Sequence, residues 1–176
     1  MSGDGAPEDG LGRAAAHLIF GSGTGISSTV YGTLVVMATI TVGYASQNHP
    51  WKLAILVSTT ALVLWISHLY AHGLSESIVE HRRLHGWEVA GIARRELGIL
   101  LAAALPTLAL LLGAFEVVRE ARAVWLALGM GLLTLFVEGV RYAKLEGFGR
   151  GGTLLAIGAN LALGSSVVLL KVAVAH

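Results

Sequence analysis

Hydrophobic positions along this chain gather into five long runs separated by polar stretches, at about 28–46, 51–71, 97–115, 123–142 and 152–174. Each run approaches the roughly 20 mostly apolar residues that a helix needs to cross a bilayer. Hydrocarbon offers the backbone no partners, so each run is predicted to be helical. The joints QNHP, EVVREAR and KLEGFGR are short, and only the stretch between the second and third runs is long. Pro106 stands in the third run, where it frees the carbonyl of Ala102 and predicts a kink.

The start of the chain has a different character. Residues 1–10, MSGDGAPEDG, are small and acidic, with too little apolar surface to order themselves. They lack the basic start and apolar run of a signal peptide. LGRAAAHLIF, residues 11–20, fits a short amphipathic helix at a membrane surface, and GSGTG, residues 21–25, a flexible joint. No strand precedes those glycines and no GK[ST] follows, so they are not a phosphate loop. The expected organisation is a flexible segment over 1–25 and one all-α domain over 26–176, a bundle of five transmembrane helices.

Composition agrees. Hydrophobic residues make up 55% of the 176 and charged residues 13%, where a soluble domain carries about 25% charge. Mean hydropathy is +0.71. Net charge is +1, which excludes a basic footprint for nucleic acid. Without cysteine there is no disulfide, thiolate nucleophile or Cys-based zinc site. Arginine outnumbers lysine nine to three beside abundant Ala, Gly, Leu and Val, a usage that fits a GC-rich bacterial genome.

Charge also orients the bundle. Arg13, Arg82, Arg83, Arg94, Arg95, Arg141, Lys144 and Arg150 fall on one side of the predicted spans, and Lys52, Arg119, Arg122 and Lys171 on the other. Positive residues collect on the cytoplasmic side. The amino terminus is therefore expected inside and the carboxyl terminus outside, in the cell (cytoplasmic) membrane.

The stretch WISHLYAHGLSESIVEHRRLHG, residues 65–86, raises the chemical question. His68, His72, Glu76 and Glu80 recur every four residues and share one helix face. The second helix is expected to run on past the lipid to about Leu84, with Gly73 as an interruption. In the fourth span, Glu138 and Arg141 are three apart and can pair. Counting along the spans puts them at the depth of His68 and His72. Ionisable groups inside a span are costly and face a bundle interior or a wet cavity, and histidine titrates near neutral pH. His68, His72, Glu76, Glu138 and Arg141 thus form a candidate inner vestibule for a proton, another small cation or a small solute. The bland alternative is a set of interfacial residues reaching water beside Trp65 and Tyr70.

Other chemistries find less support. His68 and His72, like His81 and His85, have the spacing to grip one ion, with Glu76 as a further ligand, but the two pairs lie too far apart along a helix to share it. A membrane di-iron oxidase needs more than the seven histidines here, and His17, His49 and His176 are scattered. Ser67, Ser75 and Ser77 lie near histidines without a GxSxG elbow. No cofactor is expected, and enzymatic activity stays unassigned. Gly158, Ala162 and Ser166, with Asn160 nearby, form a small-residue face that lets helices approach closely. Thr29, Thr33 and Thr41 share one side of the first span and either line a polar path or bond back to their own helix.

At VYGTLVVMATI, LVLWISHLYAH and LLKVAVAH the chain resembles a group of small multi-pass bacterial membrane proteins of actinobacterial type, whose second span ends in a Trp-x-x-His-x-Tyr motif. Here that motif is Trp65, His68 and Tyr70. The resemblance covers residues 26–176 and implies five spans; it carries no activity. We expect passage of a small ion or solute, with the lipid bilayer as surroundings and a homo-oligomer completing the path. The alternatives are a non-transporting accessory or scaffold protein and a metal-ion handling protein.

Overall fold

The computed structural model describes residues 23–46, 49–81 and 85–174. These form six helices: α1 (Gly23–Ala45), α2 (Pro50–Glu80), α3 (Gly86–Arg95), α4 (Leu97–Ala114), α5 (Glu120–Leu145) and α6 (Arg150–Val174). No strand occurs among the described residues. Five of the helices, all but α3, are long and apolar enough to cross a membrane, the make-up of a multi-pass membrane protein. The short helix expected over 11–20 lies outside the described residues.

Local chemistry sets most boundaries. Pro50 opens α2 at the position where its missing N–H costs nothing. The ring of His49 accepts the N–H of Trp51 at 3.4 Å. His81 ends α2 in the left-handed region, with φ 53°. The helix thus stops short of Leu84 and runs unbroken through Gly73, so the expected interruption there is absent. α1 likewise begins at Gly23, and the last three residues of the expected flexible joint are its first turn. Helical backbone at Gly23–Gly25 gives Thr29 a carbonyl to bond, with its hydroxyl donating to Gly25 O at 2.8 Å.

The long polar connection holds α3, a helix that the apolar pattern did not predict. Its N-terminus is closed by Glu88, whose carboxylate accepts the His85 backbone N–H at 2.6 Å, half of a capping box. Ile92 anchors it and is fully buried. The indole of Trp65 donates to Ala93 O at 3.1 Å, and Arg95 donates to Glu76 at 2.6 Å. These contacts fasten α3 along the lower part of α2.

α1 lies at the centre, packed on α2, α4, α5 and α6. Its inward residues Val36, Met37 and Ile40 meet Leu53 and Val57 of α2, Leu110 of α4, and Leu128 and Leu135 of α5 in one core. Glycine permits the closest approaches. A Cβ on Gly32 would stand 2.9 Å from the Ile99 Cα, and one on Gly98 would stand 2.5 Å from the Thr29 hydroxyl and 3.0 Å from Gly25 O. On the α5–α6 seam, Gly139 lies against Ile157, Asn160 donates to Leu135 O at 3.3 Å, and Gly164 receives Leu132 and Leu135. The small-residue stripe predicted from the sequence lies off this seam. Gly158 has no atom within 4 Å of where a Cβ would stand, and Ala162 and Ser166 are exposed. The seam instead follows Ile157, Asn160 and Gly164, spaced three and four apart on a different face of α6.

Candidate functional site

Where α1 begins and α2 nears its end, the bundle opens into a polar cleft of about 210 Å³. It is lined by Ser27, Ser28 and Tyr31 of α1, His68 and His72 of α2, and Glu96 at the break between α3 and α4. Glu96 organises it. The residue is 5% exposed, because it turns the chain from α3 into α4 at the foot of the bundle. One carboxylate oxygen, Oε2, accepts the Ser28 hydroxyl at 2.6 Å. The other, Oε1, lies 3.3 Å from Nδ1 of His72. No lysine or arginine among the described residues pairs with Glu96.

The helix itself fixes the tautomer of both histidines. Nδ1 of His68 lies 3.1 Å from Leu64 O, and Nδ1 of His72 lies 3.2 Å from His68 O. A carbonyl only accepts, so in each contact Nδ1 carries the hydrogen and the lone pair is left on Nε2. The two rings stand 6.2 Å apart, and Tyr31 lies 5.3 Å from His68. The cleft is therefore lined by two imidazoles and a carboxylate whose charge is solvated by neutral donors alone. That chemistry receives positive charge.

The five vestibule candidates divide among three places. His68 and His72 line the cleft. Glu76, one turn further along α2, is drawn off by Arg95. Glu138 and Arg141 pair with each other along α5 at 2.6 Å and are not among the residues lining the cleft. Glu138 is 4% exposed, and its Oε2 has no hydrogen-bond partner. Gly131 abuts Met37 and Thr33, so by register along the antiparallel pair Glu138 stands level with the first turns of α1.

Two side chains at the heart of the cleft, Ser28 and Glu96, were not singled out from the sequence. Both border apolar runs at the end where the histidines lie, and the depth count that picked Glu138 applies equally to them. The threonines settle differently. Thr29 and Thr33 bond back to α1, at Gly25 O and Thr29 O, while the Thr41 and Thr107 hydroxyls are buried without a partner. Among the described residues no three His, Cys, Asp or Glu side chains gather as a metal site; His68, His72 and Glu76 do not converge on one point. Set against family models, curated proteins and solved structures, the chain matches none.

Proposed function

We propose that this is a multi-pass protein of the cytoplasmic membrane, amino terminus inside, that passes a small cation across the bilayer by way of the cleft at its inner end. The carrying observation is Glu96, a buried carboxylate with two neutral donors and no cation, in a cleft that two imidazoles also line. An uncompensated charge in such a place is expensive, and an arriving cation relieves it.

Aromatic positions support the membrane placement. Exposed Trp51 and Tyr70 lie nineteen residues apart along α2, and exposed Trp125 and Tyr142 seventeen apart along α5. At 1.5 Å per residue these spans measure about 29 and 26 Å, close to the roughly 30 Å hydrocarbon core. Aromatic residues favour that boundary. His68 then falls just inside the inner boundary and His72 just beyond it, which suits a loading site. α3, at ten residues, is too short to cross. The charge asymmetry read from the sequence is therefore kept.

The outward stripe of Gly158, Ala162 and Ser166 supports a second reading, in which α6 receives another transmembrane helix of a second copy or a partner and the protein acts as a scaffold. One experiment separates the two. Purified protein is placed in liposomes and the flux of protons, sodium and potassium is read for wild type and Glu96→Gln. Cation flux lost in the variant supports passage. Folded protein with no flux of any of the three removes that reading and leaves the scaffold.

A further inference from the structure

We propose that the species loaded at the cleft is the proton, taken up at Nε2 of His72 and balanced by the carboxylate of Glu96. This rests on the cation-passage reading above and narrows it to one substrate.

His72 is the one histidine of the pair with a carboxylate at its ring. Its Nδ1 hydrogen is shared between His68 O at 3.2 Å and Glu96 Oε1 at 3.3 Å. That contact holds the ring in one tautomer and directs its basicity to Nε2. Loading is a single proton transfer. A hydronium in the cleft gives H⁺ to the Nε2 lone pair and leaves water; no other bond changes. The ring becomes imidazolium, and the His72–Glu96 pair passes from one net negative charge to zero. Release to water reverses the step.

The surroundings favour this charge change. From α1 the cleft receives the neutral hydroxyls Ser27 and Ser28 and the ring of Tyr31. From α2 it receives His68, whose own Nδ1 is held by Leu64 O. On α3, Arg95 is turned to Glu76. From the head of α4 comes Glu96, with Ser28 on its second oxygen. A proton needs one lone pair, which His72 supplies. A dehydrated calcium ion takes about six to eight oxygen ligands, and this cleft offers one carboxylate with the hydroxyls of Ser27, Ser28 and Tyr31.

The test uses the full chain in liposomes with an internal pH dye, and parallel vesicles carrying sodium and potassium dyes. The variants are His72→Gln and Glu120→Gln. His72 is half-exposed, so His72→Gln keeps a polar side chain without disturbing the core, and thermal unfolding checks that it folds. Glu120 pairs with His49 at the opposite end of the bundle, at 3.0 Å. The expected result is protein-dependent proton flux, cut about tenfold or more in His72→Gln and kept in Glu120→Gln. Sodium or potassium flux without proton flux overturns the proposal and leaves the cation-passage reading standing. Proton flux that His72→Gln leaves intact overturns the assignment to His72. Absence of all three fluxes overturns the proposal together with the reading on which it rests.

Discussion

Gly98 brings α1 and α4 together beside the cleft, and replacing it tests whether that approach holds the site. In Gly98→Ala the new methyl would stand 2.5 Å from the Thr29 hydroxyl, 3.0 Å from Gly25 O and 3.1 Å from the Thr29 N. Two of these three atoms are backbone, so the helices must part. Overpacking of this kind costs about 1–3 kcal/mol. The exchange also improves helix propensity by about 1 kcal/mol, which masks part of the cost. Gly158→Ala supplies the reference, because it gains the same propensity and meets nothing within 4 Å. The difference between the two variants isolates the clash, at about 2 kcal/mol. For a chain of this length that is roughly 4–8 °C in Tm. Thermal unfolding in detergent, followed by tryptophan fluorescence, measures it. Ser28 adjoins Thr29, so separation of the helices also stretches the Ser28–Glu96 hydrogen bond, and Gly98→Ala should lose flux beyond its loss of stability. Equal Tm values for Gly98→Ala and Gly158→Ala would refute the close approach.

Three further outcomes are expected. Arg141→Ala leaves the Glu138 carboxylate buried without its cation and should cost about 3–5 kcal/mol; the double variant Glu138→Gln/Arg141→Met should recover most of that in thermal unfolding. Trp65→Phe keeps an aromatic ring but gives up the bond to Ala93 O. It should cost about 0.5–1.5 kcal/mol and raise amide hydrogen exchange in α3 above the rest of the bundle. Glu76→Ala breaks a half-exposed ion pair with Arg95 and should change stability by less than about 1 kcal/mol, read by the same unfolding assay.

The spans were legible because hydrocarbon demands long apolar runs, and α4, α5 and α6 begin and end within a few residues of the expected positions. α3 was hidden by the same criterion. Glu88, Arg94 and Arg95 break any apolar run, and its signal is the weaker one of Val89, Ile92 and Ala93 on one face behind a capping box. The cleft was half legible. The four-residue spacing of His68 and His72 shows in the sequence, as does the three-residue spacing of Glu138 and Arg141. Which pairs meet depends on helix rotation and neighbour order, and these follow from interhelical packing at Gly32, Gly98 and Gly139 rather than from any one helix. Glu96 escaped notice because it stands at a break between helices, where no helical periodicity pairs it with another polar residue and only the depth count could have found it.

The central place of α1 bears on how the molecule is made. It is the first of the five spans to leave the ribosome and the least apolar of them, with Ser28, Thr29, Thr33 and Thr41 buried in the finished bundle. Of the helices it packs on, only α2 follows directly; α4, α5 and α6 arrive later in synthesis. For that interval α2 alone is there to cover the polar flank of α1. A nascent chain stalled before Leu97 lacks both Glu96's neighbour helix and the α4 face that Gly32 meets, so α1 should enter the bilayer poorly alone and become committed only once α4 emerges.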